Sequence, residues 1–324
     1  MNCAPGRRSS VAALALAAGF LFAVAACDGN RLFNAKQEPD VAAQEIDFDA
    51  DQQSWREQRR AALVAPDGWT SLVGLHWITA GAHYVGSNPG NGIQLSMGPA
   101  HLGMLDLRDG KVRFVPESGG DQSVDGVPVK GPVVLRSDDD PAGPSVLGFD
   151  GGRGQATVIL RDKRHALRVR HADAPTRTGF GTLEYWPADR NWVIPGRFIP
   201  HPPGQTIEIA NILGSFDAMP NPGLVEFERG GERYRLDAID DGSGGLFLVF
   251  ADRTNGHGSY GAGRFLDAPM PDADDGVLLD FNRAYSPPCA FSDFATCPLP
   301  PPQNRLELAI TAGEKLYVPP TSSR

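Results

Sequence analysis

This 324-residue sequence predicts a mostly β protein, with an N-terminal helix followed by two β-sandwich or barrel-like modules. Three observations carry that expectation. From Ser71 onward, short runs rich in β-branched and aromatic residues recur, among them "SLVGLHWI", "KVRFV", "ATVIL", "LVEFE" and "GLFLVF". Turn signals such as "NPGNG", "RDG", "VDG" and "DADDG" separate them, the pattern of strands spaced about 8–12 residues apart in all-β folds. The 38 glycines and 28 prolines leave little room for long helices.

The first residues give an address. Arg7 and Arg8 precede "VAALALAAGFLFAVAA", sixteen residues without a polar side chain, which is the pattern of a secretory signal. A membrane-spanning helix needs about 20 apolar residues, and this run stops at Cys27. Val24-Ala25-Ala26-Cys27 resembles a bacterial lipobox, so Cys27 is expected to become the lipid-bearing N-terminus. Two or more acyl chains anchor a protein stably. The expected location is the cell envelope. Asp28 resembles the signal that retains lipoproteins at the inner membrane, which in a Gram-negative cell means its periplasmic face.

Loss of Arg7 and Arg8 with the signal takes the formal charge from −9 to −11, which argues against nucleic acid or anionic lipid as a partner. Residues 1–26 are then the signal and 27–50 an acidic, solvated tether. A first module with the helix covers 51–175, a second 176–318, and a short tail 319–324. The helix is read from Trp55, Arg59 and Leu63, which share one stripe at i, i+4 and i+8. Asp49 and Asp51 suit its N-terminus, and Pro66 ends it. The seam between the modules is expected in "HADAPTRTGFGTLEYWPADRNW".

In the first module, "HYVGSNPGNGIQL", "LGMLDLRDGKVRFV" and "SVDGVPV" resemble the strand order of a forkhead-associated sandwich. That family reads phosphothreonine with an Arg and a Ser-x-x-His turn. Here Ser87 stands at the Arg position and "GPAHLG" lacks the turn, so only the fold is implied.

Motifs of known chemistry fail in context. "GHGSYG" satisfies G-x-G-x-x-G, but "AGRFLDAPMPDADDG" after it cannot form the helix that a dinucleotide site requires. There is no G-x-S-x-G elbow, no H-E-x-x-H and no EF-hand spacing in the acidic clusters Asp138-Asp139-Asp140 and Asp272-Ala273-Asp274-Asp275. No cofactor is expected. Cys289 and Cys297 enclose seven residues, and in an oxidising compartment they are expected to pair, with a zinc site or reactive thiols as the alternatives.

"FADRTNGHGSYGAGRFL", "DGVLLDFNRAYSPPCAFSDFATCPLPPPQNRLELAITAGEK" and "WREQRRAALVAPDGWTSLVGLHWITAGAHYVGS" closely resemble the uncharacterised bacterial domain-of-unknown-function family 1684, over about Trp55 to Lys315. The resemblance implies no activity. It implies that lipoprotein signals are common among members, in agreement with Cys27.

A dense polar set remains: Asp252, His257, Tyr260 and Arg264 on one stretch, and Asp280, Asn282, Arg283 and Tyr285 on the next. If the second stretch alternates as a strand, Asp280 and Asn282 point one way, and Arg283 and Tyr285 the other. The set reads either as a buried Arg–Asp network or as a cleft in which Arg264 or Arg283 grips a carboxylate or phosphate. The function expected is an anchored protein that binds a small polar or anionic ligand or a protein partner. An envelope hydrolase using Arg264, His257 and Asp280 is the alternative.

Overall fold

Residues 41 to 63 contain neither Gly nor Pro and are rich in Ala, Glu, Gln and Arg, so they propagate a helix well. The computed structural model describes residues 41–320, with side chains from Phe48 onward, and opens on this helix, α1 (Val41–Leu63). The helix already runs through "VAAQEIDFDA", ahead of Asp51 and within the expected tether, and Ala, Gln and Glu in that segment favour it. The expected signal, Cys27 and most of the tether lie outside the described residues. The expected stripe faces the protein, with Trp55 and Arg59 half-buried and Leu63 in a core cluster with Leu183 and Phe291.

Eleven strands follow: β1 (Leu72–Trp77), β2 (Gly81–Gly86), β3 (Ile93–Gln94), β4 (Gly103–Arg108), β5 (Lys111–Pro116), β6 (Ser123–Val124), β7 (Val127–Pro128), β8 (Val133–Leu135), β9 (Leu147–Phe149), β10 (Gly154–Arg161) and β11 (Arg164–His171). They form a six-stranded sheet in the order β1-β11-β10-β9-β6-β7 and a five-stranded sheet in the order β3-β2-β4-β5-β8. Leu105, Val112 and Phe114 of one sheet meet Val158, Leu167 and Val169 of the other in a single core, so the first module is a sandwich. Its hairpins use the expected turn chemistry. Asp109 and Gly110 join β4 to β5 with φ of 49° and 71°, left-handed values that Asp tolerates and Gly adopts freely. Arg168 and Arg170 alternate with the inward Leu167 and Val169 on β11, so they leave by the outer face of the six-stranded sheet.

The segment after β11 holds a short helix, α2 (Pro175–Thr178), and no sheet crosses it. The second module carries β12 (Val193–Pro200), β13 (Thr206–Ala210), β14 (Phe216–Pro220), β15 (Gly223–Arg229), β16 (Glu232–Ala238), β17 (Leu246–Phe250), β18 (Arg264–Ala268) and β19 (Gly276–Asp280). A four-stranded sheet runs β16-β15-β12-β19, with the hairpins β13-β14 and β17-β18 beside it. Trp192, Phe227 and Phe250 surround Phe281 in its core, each with its ring centroid 5.5–6.2 Å from that of Phe281. The two modules keep separate sheets, yet from Ala42 on the chain forms one compact unit. No sheet closes into a barrel among the described residues. Among the same residues no helix is long and apolar enough to cross a membrane.

Candidate functional site

The polar set divides into two networks and two outliers. Arg264 opens β18 with no exposed surface. Its guanidinium bonds Asp252 at 2.7 Å and the carbonyls of Ala312 and Ile310 at 2.5 and 2.8 Å. Asp252 in turn accepts from the backbone N–H groups of Thr254 and Ile310. A charge buried this deeply persists only when paired. Burial lowers the Arg264 pKa, and Asp252 offsets part of that. Arg264 therefore ties β18 to the C-terminal segment and faces no cleft, which removes it as the grip for an anionic ligand.

Alternation fails in the second stretch. β19 ends at Asp280, and Phe281–Arg283 form a 3-10 turn in which residues three apart eclipse. Asp280 and Arg283 thereby meet at 3.2 Å, whereas an extended strand would have parted them. Asn282, wholly buried, accepts from the Asp189 N–H and donates to the Asp189 carbonyl and to Asp280. Gln52 of α1 donates to Asp280 at 2.6 Å, and Arg283 pairs with Asp51. These residues fasten α1 to the second module, and Arg283 is already committed to two carboxylates. His257 is exposed on the turn built by "GHGSYG", where the Thr254 and Ser259 hydroxyls bond each other at 2.8 Å. Arg264 and Asp280 belong to separate networks and His257 is exposed, and none of the three lines either cleft of the seam. Among the described residues, no group of three or more His, Cys, Asp or Glu could hold a metal ion. Asp272 and Asp140 accept from backbone N–H groups within their own turns.

Cys289 and Cys297 are joined as a disulfide. Tyr260 donates to the Cys289 carbonyl, and the Cys297 carbonyl accepts from Ile212 at the β13-β14 turn. Between them the closed loop presents Thr296 to the first module, where its Oγ1 accepts from Arg161 at 3.3 Å and Arg168 at 3.0 Å. The clip thus holds a contact across the seam. Replacing both cysteines by Ala should cost roughly 2.5 kcal/mol by chain entropy, read as a lower denaturation midpoint in urea. An unchanged midpoint would show that the proline-rich loop holds its form alone.

Two adjoining clefts lie along this seam. The larger, about 710 Å³, is lined by Ile209, Met219, Ile239 and Phe247, by Asp138, Asp139, Asp217 and Asp241, and by Arg161, Asn211 and Thr296. The smaller, about 420 Å³, lies under α1, with walls from Trp55, Trp69, Phe247, Phe265 and Tyr285 and with Arg59, Asp241 and Asp267. Asp241 and Phe247 belong to both. Tyr285 donates to Asp267 at 3.3 Å, and the Arg59 guanidinium stacks 4.5 Å from the Tyr285 ring centre. Burial, then Asp267, raises the Tyr285 pKa. Desolvation by the neighbouring groups holds the Asp267 carboxyl above the usual range, Asp241 adds to this, and Tyr285 and Arg59 oppose it. Part of Asp267 still reaches solvent, which limits the size of the shift. The five carboxylates face only two arginines, and each arginine is paired already, Arg161 with Asp138 and Arg59 with the buried Glu314.

Of the sequence-derived candidates only Tyr285 lines either of these two clefts. Asp241, Asp267, Phe247 and Trp69 were not legible as a site. The one available signal was "GLFLVF", apolar on both faces of β17, where Phe247 carries the second face.

Residues 178–315 match the family model described as Protein of unknown function (DUF1684). The matched span holds the second module and the cysteine clip, while α1 and the first sandwich, which the resemblance also covered, lie outside it. An uncharacterized protein of Haloarcula marismortui, solved by solution NMR, is 34% identical over 43% of this chain and 78% of its own, with a TM-score of 0.36. No curated protein matches the chain. Through residues 178–315 the chain belongs to the DUF1684 family.

Proposed function

We propose that this is a lipid-anchored envelope protein that binds a small ligand with a cationic group and an apolar body in the cleft under α1. The observation that carries the binding reading is the aromatic cleft under α1, with Asp241 and Asp267 at its edge. Clefts of roughly 300–1,000 Å³ with mostly apolar walls and a few placed polar groups are the usual form of small-molecule sites. An ammonium over Trp or Tyr gains about 0.5–2 kcal/mol, more as it is desolvated. The ligand's charge follows from Asp241 and Asp267 in the cleft under α1, whose one lining arginine, Arg59, is committed to Glu314.

Benzyltrimethylammonium is a suitable probe, read by tryptophan fluorescence from Trp55 and Trp69. Ala62 lines the same cleft from the exposed side of α1. Ala62→Trp should fill the space, weaken binding at least tenfold and leave stability within about 0.5 kcal/mol. Affinity should also fall as pH drops through the raised Asp267 range, above the usual value of about 4, since only the deprotonated carboxylate attracts the cation. Binding that Ala62→Trp does not change would remove this cleft as the site.

The anchor rests on Val24-Ala25-Ala26-Cys27 and the apolar run before it. Cys27→Ser should move the protein from the membrane to the soluble fraction and abolish palmitate labelling. A variant that stays with the membrane, beside an unlabelled parent, would overturn the anchor.

A further inference from the structure

Buried guanidinium groups are ordinarily matched by carboxylates, because desolvating an unpaired charge is costly. Arg168 on the outer face of β11 departs from that rule. It is 7% exposed, its Nε has no acceptor, and among the described residues it forms no ion pair. Its one hydrogen bond runs from a terminal nitrogen to Thr296 Oγ1 at 3.0 Å. Arg170, on the same face, also has a buried Nε without an acceptor and no ion pair among the described residues. Both guanidinium groups lie over the Trp69 ring, 5.6 and 5.4 Å from its centre. Arg161 reaches the same Thr296 hydroxyl at 3.3 Å, but its charge is met by Asp138 at 2.8 Å.

We infer that the seam seats an oxyanion, a phosphate or carboxylate group, on Arg168 and Arg170 beside Thr296. Arginine's planar fork fits such oxygens two at a time, and here the Nε donors of both arginines have no acceptor. Thr296 Oγ1 accepts from two arginines, so its own O–H is free to donate to the anion. The larger cleft reaches Arg161 and the Thr296 hydroxyl to which Arg168 is bonded. Burial, followed by the like charges of Arg161 and Arg170, lowers the Arg168 pKa to about 10 against the opposing charge of Asp138, and an anion would relieve that cost further. The inference goes beyond the cation cleft and does not depend on it.

The test uses the full chain in non-ionic detergent, with inorganic phosphate and phenyl phosphate as probes at constant ionic strength. Phosphate should raise the melting temperature of the parent in a saturable way. Arg168→Met keeps the volume and removes the charge. It should melt at or above the phosphate-free parent and lose at least tenfold in apparent phosphate affinity. Thr296→Val, at a half-buried site, should weaken phosphate as well and serves if Arg168→Met does not fold. If phenyl phosphate binds more tightly than phosphate, and Ala62→Trp abolishes that advantage, the anionic group belongs to the cleft ligand. Equal binding of the two, unaffected by Ala62→Trp, assigns the site to a free ion. A parent whose melting temperature responds to neither probe, or responds no more than Arg168→Met, overturns the proposal. Benzyltrimethylammonium binding should survive Arg168→Met, which keeps the two proposals separable.

Discussion

Arg264→Ala should destabilise the protein by about 3–5 kcal/mol, the usual loss when one partner of a buried ion pair is removed. The variant leaves Asp252 in the interior with two backbone N–H groups as its remaining partners, and it strips the donors from the Ala312 and Ile310 carbonyls. Asp252→Ala should cost a similar amount, because it leaves the wholly buried guanidinium without a counter-charge. The double variant should cost less than the two together, with a coupling of about 0.5–3 kcal/mol. Urea denaturation of the four proteins measures all three quantities. An Arg264→Ala variant within about 0.5 kcal/mol of the parent would show that the Arg264–Asp252 pair is dispensable to the fold.

The same residues show how far the sequence could be read. Asp252, Arg264, Asp280 and Asn282 stood out because charged and amide residues crowd two short stretches. That crowding is what a buried network needs, since each buried polar group requires partners. Their structural use was therefore within reach of the sequence. The meeting of Asp280 with Arg283 was not, because it depends on β19 giving way to a 3-10 turn directly after Asp280. The hairpins and the cysteine clip were legible because Asp-Gly turns and an isolated cysteine pair are local signals.

The cleft had no such signal. Its walls come from α1, the Trp69 turn, the loop between β16 and β17, β17, β18 and the segment that follows the 3-10 turn, six segments whose spacing carries no period. Trp55 and Arg59 were visible only as one face of an amphipathic helix, which is equally what packing demands. Arg168 and Arg170 were hidden in a different way. "ALRVR" reads as a strand with one wet face, and Trp69 together with Thr296 of the second module makes that face an interior one at Arg168.

Arg59→Ala should both destabilise the fold and release α1, the element nearest the proposed anchor. Arg59 bonds Glu314 at 2.8 Å and the Ser286 carbonyl at 2.9 Å, and its guanidinium stacks on Tyr285. Glu314 has no exposed side-chain surface, so truncating Arg59 strands a carboxylate whose remaining donors are the Ser286 N–H and, at 3.5 Å, the Tyr185 hydroxyl. The expected cost is about 3–5 kcal/mol. Of the other polar ties of α1, Arg283 with Asp51 and Arg60 with the Gly181 carbonyl are partly exposed and individually weak, and the buried Gln52 holds Asp280 by one neutral amide donor. Hydrogen exchange should therefore show the α1 amides losing protection before the strands do. Arg59→Lys keeps the charge but loses the fork, and should fall between parent and Ala variant. If the α1 amides of Arg59→Ala stay as protected as in the parent, the helix is held by Leu63 and Trp55 through apolar packing, and the ion pair is dispensable.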